Sequence, residues 1–422
     1  MVGEETIIRS LSNSNTRPIM KKTILNIVLA ALFVSGFIAC SKWTEVEPNN
    51  YKTEHGDQYY ENLRAYKATD HPVTFGWFGN WTGRGASLQG SLMGLPDSVD
   101  FVSMWGNWHG LNEDKWRDKN EVKRLKGTKV LMCFIVANVG DQTTPAWVRQ
   151  KQTDPATKEE YYEVNGVRYT KEKHAVNAFW GYTGEYKMVK YPENSKEVEV
   201  EADDEMLAVA IRKYAKSLID TIDKYEWDGY DFDYEANFGA SGNIAGRASG
   251  NNGNPEINRQ RTGFKVFIEE MGKYLGPKSN SGKMLVIDGE PQNMHPDVRD
   301  YFDYYIIQAY YSAGYTDLDS RYALLLKGLE ATGNPELEKI IAKKLIYCED
   351  FEKAGYAKDG GRTHKTRDGR TVPSLIGMAA WQPISGYQKG GVGSYHMEYD
   401  YVNSPEYKWL RKATGVMNPV IK

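Results

Sequence analysis

The chain has 422 residues, with 53 Lys plus Arg against 56 Asp plus Glu, a net charge of −3 and a pI near 6.2. That is enough chain for one large domain or two ordinary ones, and the charge balance excludes the global basic field on which nucleic-acid binding rests. The aromatic excess of 29 Tyr, 11 Trp and 13 Phe suits stacking on the apolar faces of sugars, and equally the core and rim of a large domain.

At the N-terminus, Met20-Lys21-Lys22 precedes an apolar run from Ile24 to Ile38 that ends on Ala39-Cys40. A basic start, an apolar stretch of this length and a small residue before Cys predict a bacterial lipoprotein signal. Translation is expected to start at Met20, with Cys40 the lipidated first residue. The run is short for a transmembrane helix, which needs about 20 apolar residues. Residues 1–40 are thus read as upstream residues plus signal peptide, 41–68 as a tether, and 69–422 as one domain. Ser41, Glu45 and Glu47 resemble the start of surface-exported lipoproteins. The expected place is the outer membrane of a Gram-negative cell, at its surface, held by the lipid alone.

Eight short segments rich in β-branched and aromatic residues follow: Val73–Trp77, Val99–Met104, Lys129–Val136, Gly229–Glu235, Met284–Asp288, Tyr304–Tyr310, Lys344–Cys348 and Ile376–Trp381. Such segments suit buried parallel strands. With connections between them they predict an α/β fold, a (β/α)8 TIM barrel. Between the third and fourth, Asn165-Gly166 flanked by Tyr161-Tyr162 and Val167 to Tyr169 reads as a hairpin. Next, Leu207, Ala210, Ile211, Tyr214, Leu218, Ile222 and Tyr225 follow helical spacing over Glu205 to Lys224. After the fourth strand, Ala236 to Gly263 reads as a Gly- and Asn-rich loop. After the fifth and seventh strands there is little room for full helices, so the barrel is expected to be irregular, with some helices replaced by loops. Asp350 to Pro373 reads as loops or a hairpin.

Cys133 and Cys348 fall in the third and seventh strands, which a barrel does not place side by side. Buried free thiols are expected there rather than a disulfide. The seven His and three Cys form no metal-ligand spacing, so neither metal nor cofactor is expected. The expected oligomeric state is a monomer.

The fourth strand carries the chemistry. In Asp228-Gly229-Tyr230-Asp231-Phe232-Asp233-Tyr234-Glu235 the acids alternate with aromatics. A strand sends every second side chain to the same face, so Asp231, Asp233 and Glu235 line one face about 6.6 Å apart and the rings line the other. Like charges on a buried face are costly unless the set retains protons or meets strong donors. The three titrate together.

These residues carry a resemblance. The pattern Asp-Gly-x-Asp-x-Asp-x-Glu over Asp228, Gly229, Asp231, Asp233 and Glu235 resembles glycoside hydrolase family 18, which includes chitinases and endo-β-N-acetylglucosaminidases. Gln308-Ala309-Tyr310 is similar to the Gln-x-Tyr of the endoglycosidase branch, whereas chitinases more often carry Met-x-Tyr-Asp there. Trp381 stands where the family commonly places a Trp under the reacting sugar. The Ser-x-Gly-Gly usual on the third strand is replaced by Phe134-Ile135-Val136-Ala137-Asn138.

The resemblance implies roles. Glu235 is the acid that protonates the leaving oxygen and later the base that activates water. The substrate's own 2-acetamido oxygen replaces a protein nucleophile. Asp233 binds the acetamide N–H, Tyr310 donates to its carbonyl oxygen, Asp231 shares a proton with Asp233, and Gln308 steers the group. Trp77, Trp105 and Trp108 are sugar platforms or core aromatics. Asp288 and Glu290, ending the fifth strand, are further acids or hydrogen-bonding groups. The short interval before Ile376 leaves no space for the inserted module of the larger chitinases. Together with Gln308-Ala309-Tyr310 this favours an endo-β-N-acetylglucosaminidase acting on the GlcNAc-GlcNAc core of N-linked glycans. A chitinase or chitodextrinase of the same mechanism, and a non-catalytic glycan-binding protein on the same barrel, are the alternatives.

Overall fold

The computed structural model describes residues 55–190, 197–236, 242–246, 255–353 and 355–419. The expected signal segment and Cys40 lie outside them. Eight parallel strands close a barrel in sequential order. They are β1 Val73–Phe78, β2 Phe101–Trp105, β3 Lys129–Ile135, β4 Gly229–Tyr234, β5 Met284–Gly289, β6 Tyr304–Gln308, β7 Leu345–Asp350 and β8 Gly391–Tyr395. The expected (β/α)8 barrel is the observed fold.

Strand alternation sorts the side chains into two cores. Phe75, Leu131, Cys133, Val286, Ile306, Ile346 and Cys348 point into the barrel. Tyr230, Phe232 and Tyr234 of β4 point outward into a layer shared with the surrounding helices. Phe264 and Phe267 of helix Pro255–Met271 meet Phe232 at ring-centroid distances of 5.4 and 5.5 Å. The helix Asp204–Lys224 starts where Asp203 Oδ1 accepts from the Met206 N–H at 2.9 Å, and it buries Leu207, Ile211, Tyr214, Leu218 and Ile222. Lower in the barrel, Phe75, Phe101 and Tyr304 stack at 4.7 and 5.4 Å and plug it. The interior is therefore filled from below, and any opening lies at the carboxyl ends of the strands, as barrel enzymes require.

Gly229 opens the acidic strand for a steric reason. Its φ is +152°, and a Cβ there would sit 2.1 Å from the Met284 carbonyl oxygen. Glycine lets β5 approach closely enough to pair with β4 residue for residue, Met284 opposite Gly229 and Asp288 opposite Asp233.

Three expectations are corrected. The eighth strand is Gly391–Tyr395; Ile376–Trp381 instead falls in and just after a helix, Ser374–Ala380. A continuous apolar run does not separate a strand from a buried helix by period, and this helix buries Leu375, Gly377, Met378 and Ala379. Residues 351–390 therefore connect β7 to β8, with a hairpin of Thr363–Lys365 and Thr371–Pro373 before that helix. Within the segment read as tether, Asp57–Lys67 is a helix that buries Tyr60. Its Lys67 Nζ donates to the Val99 carbonyl at 2.6 Å, tying it to the chain entering β2. The segment read as a loop to Gly263 is helical from Pro255. The hairpin expected at Asn165-Gly166 pairs Glu160–Val164 with Val167–Tyr169, and only short 3-10 turns follow β5.

Candidate active site

β4 sends Asp231 and Asp233 into the barrel, and Glu235 follows at the rim, partly exposed. Register brings Cys133 of β3 beside Asp231 and Asp288 of β5 beside Asp233. The three aspartates are 0, 2 and 1 % exposed for Asp231, Asp233 and Asp288, so their charges have almost no water. Few donors replace it. Trp77 Nε1 donates to Asp231 Oδ2 at 3.0 Å, and Gln308 Nε2 donates to Asp288 Oδ1 at 2.9 Å. The buried oxygens Asp231 Oδ1, Asp233 Oδ1 and Asp288 Oδ2 find no donor among the described residues.

Acceptors buried this way retain protons. Burial pushes Asp231 up to about 6, with Ser103, Asp288, Cys133 and Trp77 opposing the shift. Burial, then the charges of Glu235 and Asp231, holds Asp233 well above the ordinary carboxylate range. Asp288 is raised the same way by burial, then by Asp233 and Asp231. Near neutral pH the set is part-protonated, and its titration belongs to the set rather than to one member.

Above the aspartates lies a cavity of about 210 Å³, lined by Trp77, Trp105, Ile135, Asp233, Glu235, Asp288, Gln308, Tyr310 and Tyr395. Its wall is aromatic: Tyr395 meets Trp105, Tyr310 and Trp77 at 5.8, 6.1 and 6.2 Å between centroids. Burial holds the Tyr310 phenol well above the usual tyrosine value, so it stays a neutral hydrogen-bond donor. A second cavity of about 540 Å³ adjoins, with Glu290, Gln292, Tyr311, Arg321 and Leu324 among its walls. Glu235, Gln308 and Tyr310 line both. Glu235 thus stands on the border between a small aromatic chamber and a wider one.

Tyr311 shapes that border. Its φ is +61°, a left-handed conformation that costs a side chain of this size about 1–3 kcal/mol. Three bonds hold it: its N–H to Glu349 Oε1 at 3.0 Å, its hydroxyl to Asp350, and its carbonyl from Arg362 Nη1 at 2.8 Å.

Of the residues singled out in the sequence, Glu235, Asp233, Tyr310, Gln308, Trp77 and Trp105 meet in the small cavity, and Asp231 lies directly beneath it. Trp381 does not. It is fully buried outside the barrel, with Nε1 donating to Asp319 Oδ1 at 2.8 Å and its ring packed on Tyr322 and Tyr347. The apolar run before it suggests a strand end, but that run is the helix Ser374–Ala380. Tyr395 ends the true β8 and takes that position in the wall. Trp108 is core, packed on Phe134 at 5.0 Å. Glu290 Oε1 accepts from Asn293 Nδ2 at 3.0 Å at the edge of the wider cavity. Cys133 and Cys348 are free and buried, both facing the barrel interior.

Comparison with known proteins places this geometry. The chain is similar to endo-beta-N-acetylglucosaminidase F2 of Elizabethkingia meningoseptica, 23% identical over 379 residues and covering 85% of each chain. Among solved structures it is similar to BT1044, with a TM-score of 0.64 and 30% identity over 87% of this chain and 94% of that one. It shares its fold with an endo-beta-N-acetylglucosaminidase of Cordyceps militaris solved with fucosyl-N-acetylglucosamine-Asn, at a TM-score of 0.51 and 18% identity, over 89% of this chain and 99% of that one. The family model "Glycoside hydrolase family 18, BT1044-like" matches residues 38–166 and 147–416. With that match running over most of its length, the chain belongs to glycoside hydrolase family 18 and is a glycosidase.

Proposed function

We propose that this glycosidase cuts the β-1,4 bond of the GlcNAc-GlcNAc core of N-linked glycans, retaining configuration through the substrate's own acetamide. The observation that carries the reading is the position of Glu235. It borders both cavities, while the other acids of the set lie on the small-cavity side and beneath it. A proton donor there reaches the oxygen that joins a sugar in the small chamber to a leaving group in the wide one.

The remaining groups suit an acetamide rather than a protein nucleophile. Asp233 takes the acetamide N–H and stabilises the oxazolinium, while Tyr310 donates to the acetamide oxygen as it attacks the anomeric carbon. Gln308 is itself held by Asp288 and steers the group from the side. Glu235, having given its proton to the leaving oxygen, takes one from the water that opens the ring. Trp105 and Tyr395 provide stacking faces.

Mass spectrometry of products from a high-mannose glycoprotein, a complex-type glycoprotein and chitin oligomers tests this. Retention of one GlcNAc on the protein is the expected result. Cleavage of chitin oligomers alone would transfer the site to a chitodextrinase.

The N-terminal pattern supports a cellular setting. Cys40 carries the lipid, and the enzyme works at the outer surface of a Gram-negative cell on glycoproteins met outside it. Metabolic labelling with a fatty acid is expected to mark the chain, and to fail with Cys40→Ala. A labelled Cys40→Ala chain would remove the anchor.

A further inference from the structure

The pairing of β4 with β5 sets Asp288 beside Asp233, at the same height on the neighbouring strand. Asp288 Oδ1 is taken by the Gln308 amide at 2.9 Å, leaving Oδ2 buried and without a donor. Asp231 shows the same division: Oδ2 is held by Trp77 Nε1, and Oδ1 is left without a donor. One ligand atom each of Asp231, Asp288 and Cys133 lies within 4.8 Å of the others. Two carboxylates, each anchored on one oxygen by a neutral N–H, therefore turn the other oxygen into a dry space. Asp233 Oδ1 also faces dry surroundings without a donor, while the residue lines the cavity above. Bare carboxylates so placed repel, and a proton between them converts repulsion into a hydrogen bond.

We propose that Asp288 is a positioning residue that carries a proton and donates it, as a hydrogen bond, to the inner oxygen of Asp233. This rests on the reading that Asp233 receives the acetamide N–H. With its inner oxygen committed to Asp288, Asp233 is fixed in rotation, and its other oxygen is presented to the cavity as an acceptor. No proton leaves the set. Through its second oxygen Asp288 also fixes Gln308, so one side chain aligns both groups that meet the acetamide. Asp231 and Asp233 of β4, Cys133 of β3, Cys348 of β7 and Tyr310, just after β6, face Asp288. All of them are acids or neutral donors, and none brings a positive charge that would hold Asp288 ionised.

Two substitutions and one spectrum decide the matter. Asp288→Asn keeps a donor toward Asp233 and an acceptor for Gln308, so kcat on the glycan is expected to stay within about tenfold of the parent. Asp288→Ala removes both and is expected to lower kcat about 10²–10³-fold with little change in KM, in the range for loss of one aligned catalytic donor. Infrared difference spectra of the substrate-free protein, parent minus Asp288→Asn at pH 7, are expected to show loss of a protonated carboxylic-acid band. Loss of a carboxylate band instead, or equal loss of kcat in both variants, overturns the proposal. The spectrum needs no substrate, so an enzyme inactive on N-glycans but showing the acid band would refute only the substrate reading.

Discussion

Glu235→Gln is expected to lower kcat on an N-glycoprotein by about 10²–10⁴-fold, the usual contribution of a positioned acid–base group, while leaving glycan affinity within a few-fold of the parent. Glutamine matches the shape of glutamate and keeps a hydrogen-bonding end at the rim, so the barrel should not be disturbed. What it lacks is the proton. Both halves of the reaction need that group, first as the acid that releases the leaving sugar and then as the base that activates water. The size of the defect should therefore depend on the leaving group. An aryl glycoside departs without protonation, so formation of the oxazolinium should be nearly normal with it and only its hydrolysis slowed. Burst kinetics with an aryl substrate and steady-state kinetics with a glycoprotein read the two steps separately. Equal turnover by parent and variant on the glycoprotein would remove Glu235 from the chemistry.

The fourth strand was legible because both of its faces obey one rule. Acids at every second position face the barrel, aromatics at the others face the helices, and the structure keeps that alternation through Tyr234. β8 obeys the same rule but writes it in glycine. A Cβ on Gly391 would lie 2.3 Å from the Val73 carbonyl oxygen, and one on Gly393 would lie 2.6 Å from that of Phe75. Close approach of β1 thus removes the β-branched residues by which a strand is recognised. Val392, outward-facing, and Tyr395, at the mouth, are the remaining signal. Trp381 drew attention because its neighbours are apolar, yet those neighbours face other helices and the outside of β7.

The helix Asp57–Lys67 escaped notice for the opposite reason. It is polar nearly all round and buries Tyr60 alone. Asp288 was visible as an acid at a strand end, but its relation to Asp233 depends on strand register. Register follows from the close approach at Gly229, which only three dimensions reveal.

Asp233→Asn should separate stability from activity in opposite directions. Asparagine keeps a neutral acceptor for the acetamide N–H but loses the charge that balances the oxazolinium, and this is expected to lower kcat about 10²–10³-fold. The fold should gain. Asp233 is held well above the ordinary carboxylate range, first by burial and then by the charges of Glu235 and Asp231. A folded value above the unfolded one means that the protonated form supports folding. That support is complete below the unfolded aspartate value near 4 and is lost as pH rises through the folded value. Asparagine cannot ionise, and its amide can donate to the buried Asp231 Oδ1, which lacks a donor. The variant is therefore expected to melt about 1–4 °C above the parent at neutral pH, with the gap closing as the solution is acidified toward pH 4. Calorimetric scans across that range check the sign. A variant that melts lower at neutral pH, or a gap that widens on acidification, would mean that the folded enzyme does not hold Asp233 above its unfolded value, and the cost assigned to burying its charge would be refuted.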